Sequence, residues 1–250
     1  STRKESSAAS DVYKRQALII IGNEILSGRT KDKNLAYLAE WLNEIGIQLY
    51  EVRVIRDDEK EIIDCVNLLR KKFDYVFTTG GIGPTHDDIT TESIAKAFDV
   101  ELETNPDALK ILQGYYKKGD LNEARLKMTL LPVGAELVEN PVTKAPGFKM
   151  DNVFVMAGIP SIMQGMLEGA RVFLEIGTKM SSKSIDVFMP ESFVAAELSQ
   201  IQDNYLNVEI GSYPFNKEGK FGTSLVMRST DLKALNRCEI EVAEMIKKLG

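Results

Sequence analysis

The chain has 250 residues, of which 44% are hydrophobic and 27% charged, with 31 Lys and Arg against 37 Asp and Glu and a net charge of −6. This composition is typical of a globular protein long enough to bury a core, and it excludes a disordered, collagen-like or coiled-coil protein. No apolar run reaches the roughly 18–20 residues of a membrane span, and the acidic balance argues against a nucleic-acid partner.

The first sixteen residues are polar and offer no apolar stretch for a signal peptide or a core element. Asp11–Gln16 resembles the translation of a transposon end used in sequencing libraries, and no methionine precedes Met128. We therefore expect residues 1–16 to be a non-native leader.

Residues 17–77 alternate between strand and helix periodicity. Ala17–Ile21 is a short β-branched run, typical of a strand buried on both faces. The helix that follows has Asn34 in position to cap its start and Gly46 to end it. The next predicted elements are a strand at 47–55, a helix at 59–72 and a strand at 75–77. This order predicts an α/β protein with three α/β/α layers and a mostly parallel sheet.

The remaining chain predicts further helices, one more buried strand and a second domain. Helices are expected at 91–98, in two stretches within 107–130 and from Pro160 to Phe173, and the strand at 153–156. Residues 183–249 follow the order β-α-β-β-α, which predicts a two-stranded antiparallel element. The pattern is interrupted near 177–182, so we expect an α/β/α domain at 17–177 and a small α+β domain at 178–250.

The loop at 78–90 carries the strongest functional signal, because ligands bind beyond the carboxyl ends of parallel strands. Gly80, Gly81 and Gly83 allow backbone N–H groups to approach an anion, and the helix that begins near Thr90 adds its positive dipole end. This combination of free N–H groups and a helix start favours the binding of a phosphate group. The alternative is a plain strand-to-helix connection, since the spacing matches neither GxGxxG nor GxxxxGK[ST].

Four carboxylates flank the predicted phosphate loop, namely those of Asp57, Asp58, Asp87 and Asp88. Carboxylates repel a phosphate unless a divalent cation lies between them, so the pattern indicates a metal-bridged di- or polyphosphate. A water or a phosphate oxygen would then attack phosphorus in line. Each aspartate could instead be a turn or helix-start residue. Glu24 follows the first strand and could contact the ligand or cap a helix.

Histidine and cysteine narrow the chemistry further. His86 is the single histidine, which excludes sites built on two or three histidines and leaves its own role open between catalysis, loop stabilisation and solvent exposure. Cys65 and Cys238 form no CxxC pair, so a disulfide framework or thiolate zinc site is not expected. We therefore expect the protein to be in a reducing, cytoplasmic compartment.

A second cluster of turns flanks the strand at 153–156. Residues 140–148 and 157–161 are rich in proline and glycine, and Lys144 lies in the first of these turns. Lys144 could reach the same sheet edge and neutralise a phosphate. The alternative is an ordinary turn.

These motifs together resemble the molybdopterin-binding-like (MoaB/Mog-type) domain of the competence/damage-inducible protein A (CinA) family, over residues 17–250. The residues that carry the resemblance are Gly22–Leu26 with Gly28 and Asn34, Thr78–Pro84 with Asp88 and Thr90, Lys144–Phe148, and Gly158–Pro160. Molybdenum-cofactor enzymes and the extra domain of eukaryotic FAD synthases share this fold.

The resemblance implies a metal-dependent pyrophosphatase that acts on ADP-ribose, FAD or a similar nucleotide diphosphate. It implies metal and catalytic roles for Asp57 and Asp88. Asn23 stands where the family usually has threonine. The C-terminal amidase domain of full-length CinA proteins is absent, so we expect a stand-alone form without nicotinamide mononucleotide deamidation.

We accordingly predict catalytic roles for Asp57 and Asp88 and a Mg²⁺, Mn²⁺ or Co²⁺ site at Asp57, Asp87 and Asp88. The predicted ligand-binding residues are Gly22, Asn23, Glu24, Gly80, Gly81, Gly83, Pro84, Thr90, Lys144, Pro146, Gly147, Gly158 and Pro160. The expected partner is a nucleotide or pterin phosphate, in a homo-oligomer. Two alternatives stay open: molybdopterin binding with adenylyl transfer in molybdenum cofactor biosynthesis, and a non-catalytic binding protein with the same pocket.

Overall fold

The computed structural model describes residues 15–117, 119–217 and 219–249. The chain divides into two compact units, of which the first ends at Gly177 and the second begins at Thr178. Most of the expected leader lies outside the described residues. Its last two residues, Arg15 and Gln16, belong to the first strand, where Gln16 is fully buried and pairs with strands on both sides.

The first unit contains eight of the described strands and seven of the described α-helices. The strands are β1 (Arg15–Ile21), β2 (Gln48–Ile55), β3 (Tyr75–Thr79), β4 (Leu102–Thr104), β5 (Leu130–Pro132), β6 (Glu136–Val138), β7 (Gly147–Met150) and β8 (Val153–Met156). The helices are α1 (Asn23–Leu26), α2 (Asn34–Glu44), α3 (Glu59–Leu69), α4 (Thr90–Ala97), α5 (Pro106–Tyr115), α6 (Glu123–Lys127) and α7 (Pro160–Ala170). A 3₁₀ turn at Arg171–Phe173 continues α7.

Six of these strands form one sheet in the order β2-β1-β3-β8-β7-β6. The first four strands are parallel, whereas β7 and β6 are antiparallel to their neighbours. β4 and β5 pair separately as a short antiparallel ladder. The predicted mostly parallel α/β/α sheet is therefore confirmed, and the antiparallel strands at one side of it were not predicted.

The central strand β1 is buried on both faces, as predicted. Ile19 and Ile21 pack into a core with α3 and α4, while Leu18 and Ile20 pack into a second core with α2 and α7. Alternate side chains of a strand point to opposite faces, so one apolar run supplies both cores. Two helical layers therefore hold the central strands in place and fix the positions of the loops that follow them.

The second unit is built from β9 (Ser181–Val187), α8 (Glu191–Asn204), β10 (Glu209–Lys217), β11 (Lys220–Ser229) and α9 (Leu232–Leu249). Its antiparallel sheet has the order β10-β11-β9, so the expected two-stranded element has a third strand. Leu225 and Met227 pack against the helices. Burial raises the pKa of the Cys238 thiol, which lies in this core, to about 11.

No helix within the described residues is long and apolar enough to cross a membrane.

The cap of α5 gives a test of local helix chemistry. Asn105 Oδ1 accepts from the backbone N–H groups of Asp107 and Ala108 at 3.1 and 3.0 Å, and Pro106 occupies the first helical position. We expect Asn105→Ala to lower the free energy of unfolding by about 1 kcal/mol, because two helix-start N–H groups lose their acceptor. Urea unfolding measures the change. Gln113→Ala, on an exposed position of the same helix, is the matched control, and an equal loss in both variants would argue against the cap.

Candidate functional site

Five loops meet at one edge of the large sheet. The parallel strands β1, β2, β3 and β8 end there, and the β6–β7 turn returns to it because these two strands are antiparallel. Backbone hydrogen bonds join neighbouring loops: Gly22 N donates to Ile55 O at 3.2 Å and Gly80 N to Met156 O at 3.1 Å. The topology therefore gathers loops that are far apart in sequence, since β1 ends at Ile21 and β8 at Met156.

A cavity of about 650 Å³ lies between these loops. Predicted site residues that line it are Glu24, Asp57, Gly80, Gly81, Gly83, Pro84, Asp87, Asp88, Pro146, Gly158 and Pro160. Ligand pockets for small molecules are typically about 300–1,000 Å³, so a dinucleotide-sized ligand fits by volume.

At the floor of the cavity, the main chain of the loops after β1, β3 and β8 is in close contact. Gly80 has a φ of 107°, and a Cβ at this position would lie 2.1 Å from Ile21 O. Gly81 has a φ of 68°, and its Cβ would lie 2.2 Å from the Thr90 hydroxyl. A Cβ on Gly158 would lie 3.2 Å from Gly80 Cα. These glycines therefore permit both the left-handed backbone and the close approach of three loops.

Two of the carboxylates are held by neighbouring backbone. Asp57 Oδ2 accepts from Asn23 N at 2.8 Å, which fixes the loop after β2 against α1. Asp88 Oδ2 accepts from Thr85 N at 2.9 Å and from the Thr85 hydroxyl. In the described part of the chain these bonds use one oxygen of each carboxylate, and Oδ1 of each is left for a ligand. The Thr85 side chain also holds the pKa of Asp87 below its usual value, because its hydrogen bond stabilises the ionised carboxylate.

The turn at 85–88 is held from outside by Lys127. Its Nζ donates to Thr85 O at 3.2 Å and to Asp88 O at 3.0 Å, and it lies 3.8 Å from Glu92 Oε1. One cation thus satisfies two carbonyl groups of the turn. Because its own charge is engaged in this way, Lys127 orders the turn that presents Asp88.

The other predicted residues have supporting positions. Gly22, Asn23, Thr90, Lys144 and Gly147 are not among the lining residues in the described part of the chain. Thr90 is fully buried, and Gly147 starts β7 with its Cβ position 2.6 Å from Val155 O. Lys144 is half-buried with a φ of 64°, and its N–H donates to Asn140 O, as in the ordinary turn that was the alternative.

Two further expectations have clear outcomes. Asn34 does not cap α2 through its side chain; it is the first helical residue, and its Nδ2 donates to Gly158 O at 2.8 Å. It thereby ties α2 to the cavity loop after β8. The His86 side chain is 99% exposed, 4.0 Å from Asp87 Oδ1. Of the three roles left open for His86, solvent exposure matches this position.

One wall of the cavity is aromatic and cationic, and it was not predicted from the sequence. Tyr116 and Arg125 both line the cavity, and Cζ of Arg125 lies over the Tyr116 ring, 4.3 Å from its centroid. Arg125 also donates to Asp120 O. Both residues lie between β4 and β5, far from the glycine loops in sequence. No motif surrounds them, and only the tertiary structure brings them to the cavity.

The described residues contain no group of three or more His, Cys, Asp or Glu side chains arranged to hold a metal ion. A cage made of protein ligands alone is therefore not available among them. Mg²⁺, however, is commonly bound by one or two carboxylates together with substrate phosphates and water. Asp57 and Asp88, each with one oxygen left for a ligand, fit that second arrangement.

The fold and this cavity define a ligand-binding α/β protein whose site lies at the carboxyl edge of a mostly parallel sheet. Residues 17–174 match the family described as "Probable molybdopterin binding domain", and residues 179–249 match the one described as "FAD synthase, middle domain". The chain belongs to the molybdopterin binding domain family, and its resemblance to CinA proteins is confirmed by the similarities that follow.

Several relatives match over most of this chain. A protein of Archaeoglobus fulgidus is 36% identical, over 79% of this chain and 84% of its own length. An Aeropyrum pernix protein is 34% identical, over 95% of this chain and 91% of its own length. A CinA-like protein of Geotalea uraniireducens is 33% identical over 94% of this chain, which spans 56% of that longer protein. The crystal structure of CinA from Thermoplasma acidophilum, a protein of unknown function, matches with a TM-score of 0.60 and 35% identity, over 64% of this chain and 97% of that one.

Proposed function

We propose that the chain is a divalent-metal-dependent hydrolase that splits the pyrophosphate bond of a nucleotide diphosphate such as ADP-ribose or FAD. One observation carries the proposal: a single cavity of about 650 Å³ is bounded by the glycine loop on one side and by Asp57 and Asp88 on another. Backbone N–H groups suit phosphate oxygens, and the carboxylates suit a cation between them and the phosphates.

The proposed metal site needs the substrate to complete it. Asp57 and Asp88 would hold Mg²⁺, Mn²⁺ or Co²⁺ through their Oδ1 atoms, with Asp87 near enough to the cavity to contribute charge. When bound, such a cation neutralises phosphate charge and lowers the pKa of water. Because fewer than three protein ligands are grouped among the residues that the structure describes, we expect the metal to bind tightly only together with a pyrophosphate ligand.

The chain's own residues would orient and stabilise the reacting phosphate. Water forms one new P–O bond, the bridging P–O bond breaks, and two phosphomonoesters leave with the released proton passing to solvent. The N–H groups of the glycine loop would stabilise the charge that develops on the equatorial oxygens. Glu24, in α1 just after β1, would contact the organic part of the ligand.

Arg125 gives a test that separates binding from chemistry. We expect Arg125→Ala to raise KM for ADP-ribose or FAD about tenfold with kcat nearly unchanged, because a cation in the cavity wall attracts the phosphates without touching the breaking bond. Steady-state kinetics with both substrates measure this. Arg171→Ala, in a half-exposed position outside the cavity, is the matched control. A fall in kcat with an unchanged KM would contradict the assigned role.

The experiment that tests the activity uses the full chain with ADP-ribose, with FAD and with molybdopterin plus ATP. Each mixture receives Mg²⁺, Mn²⁺ or Co²⁺, or a chelator, and the products are identified by mass. We expect AMP with a sugar phosphate, or AMP with FMN, and no product after chelation. Cleavage that survives chelation would contradict the metal requirement.

A second candidate is molybdopterin binding with adenylyl transfer, which the description of the matched family favours. An adenylylated pterin in the same experiment would support it over hydrolysis. Binding of nucleotide without turnover in any mixture would instead support a non-catalytic binding protein. A cytoplasmic location is part of the proposal.

A further inference from the structure

The two edges of the large sheet are very different. β6, at one edge, has three residues, whereas β2, at the other, has eight. A long edge strand presents free N–H and C=O groups that can pair with another chain, and proteins usually shorten or cover such edges. β6 follows this rule because it is short, whereas β2 is long and its pairing with β1 is irregular at one position, Tyr50.

One face of β2 is also an exposed apolar row. Tyr50, Val52 and Val54 alternate along the strand and are 52%, 36% and 39% exposed. Their register places Val52 beside Leu18 and Val54 beside Ile20, so the row continues the core face of the central strand β1 outward to the edge. This surface, Tyr50, Val52 and Val54 with the outward peptide groups of β2, is called the β2 edge below.

The backbone of the β2 edge has a defined direction. Ile55 O accepts from Gly22 N on the side of β1. Peptide groups alternate in direction along a regular strand, so those of Val52 and Val54 point away from β1. The alternation is interrupted at Tyr50, where the register between β1 and β2 shifts. The outward hydrogen-bonding groups therefore belong to two residues of the apolar row, Val52 and Val54.

The charges on β2 specify a partner. Glu51 and Arg53 lie on the other face of the strand, with Arg53 Nη2 2.7 Å from Glu51 Oε1. In an antiparallel pair of β2 strands centred on Val52, Glu51 of each copy lies opposite Arg53 of the other copy. This gives one such pair on each side of Val52. Centring on Glu51 or on Arg53 instead places like charges opposite each other. Cross-strand pairs of opposite charge stabilise a sheet, and pairs of the same charge destabilise it.

The hydrogen-bond pattern selects the same register. With Val52 at the two-fold axis, the two copies of Val52 exchange both backbone hydrogen bonds. Glu51 and Arg53 then occupy the non-hydrogen-bonded positions, where side chains come closest. Pairing, charge and the apolar row agree on one arrangement.

We propose that β2 pairs with β2 of a second copy of this chain, antiparallel and centred on Val52, to form one continuous twelve-stranded sheet in a two-fold homodimer. Two-fold association needs a self-complementary surface, and the β2 sequence has this property in the Val52 register. The proposal is independent of the reaction proposed for the cavity.

The test uses two charge reversals and their mixture. Light scattering after size exclusion should give twice the chain mass for the full chain, whereas Glu51→Arg and Arg53→Glu should each raise the dimer dissociation constant at least about 100-fold, since each places like charges at two positions. Mixing the two variants, one of them carrying an affinity tag, should restore a dimer of one chain of each kind, because every facing pair is then unlike.

Matched controls keep the outcome interpretable. Glu136→Arg reverses a paired charge on β6 at the opposite edge and should leave the dimer intact. The double variant E51R/R53E should form a dimer again by itself. A monomeric wild-type chain would overturn the proposal, as would a dimer that persists in both single variants. Single variants that are monomeric but do not combine with each other would overturn it as well.

Discussion

Asp88→Asn is expected to lower kcat for ADP-ribose or FAD cleavage by about 10³-fold or more, on the scale of removing a group that stabilises developing charge. Asp88 Oδ2 accepts from Thr85 N at 2.9 Å, and an asparagine oxygen can accept the same bond. The substitution therefore preserves the turn at 85–88 and removes the negative charge and the second oxygen that would face the metal.

The measurement is single-turnover cleavage at saturating Mn²⁺, with circular dichroism to compare the fold of the variant and the wild type. Asp203→Asn makes the same chemical change at an exposed position of α8 and should leave kcat unchanged. If Asp88→Asn retained turnover within about threefold of wild type, less than 1 kcal/mol of barrier, Asp88 would have no catalytic role.

Gly80→Ala is expected to cost about 3 kcal/mol or more of stability in the first unit and to abolish ligand binding. The backbone at Gly80 has a φ of 107°, and the new Cβ would lie 2.1 Å from Ile21 O, which belongs to a buried strand. Neither the dihedral angle nor the carbonyl can change without moving β1 or β3. For a domain of this size the melting temperature should fall by about 6–12 °C.

Gly114→Ala is the matched control for that experiment. Gly114 lies in α5, and a Cβ there would have nothing within 4 Å. We expect this variant to gain about 0.5–1 kcal/mol, because alanine has the higher helix propensity. Differential scanning calorimetry of the full chain, with the transition of each unit fitted separately, measures both changes. Equal and small effects in the two variants would show that the floor of the cavity tolerates a side chain.

The parallel half of the sheet was predictable because its signals are local. Ala17–Ile21 is apolar at every position, as a strand buried on both faces must be, and the helical spacing of α2 is visible in sequence. β6 and β7 have three and four residues, too short for a clear alternation, and their antiparallel pairing depends on tertiary contacts. The order of elements therefore predicted the layers but not the antiparallel edge.

The part of the site that depends on local motifs was also predictable from the sequence. Glycines and carboxylates that follow strands are visible in sequence, and topology alone brings Asp57 and Asp88 to one edge. Tyr116 and Arg125 follow no strand end, so nothing local distinguishes them from surface residues. The orientation of Lys144 depends on a positive φ within a turn, which the sequence pattern does not specify.

The composition of the cavity wall has a consequence for how relatives of this chain could diverge. Its floor consists of main-chain atoms at Gly80, Gly81 and Gly158. An added Cβ would collide with Ile21 O at Gly80 and with the Thr90 hydroxyl at Gly81, and at Gly158 it would be tightly packed against Gly80 Cα. Point substitution therefore cannot tune that part of the cavity without disrupting it. Changes of ligand preference should accumulate on the opposite wall, at side chains such as Tyr116, Arg125 and Ile162. The glycine floor would stay the same among relatives while the side-chain wall varies. The same fold could then bind new substrates and keep its contact with the phosphate group that they share.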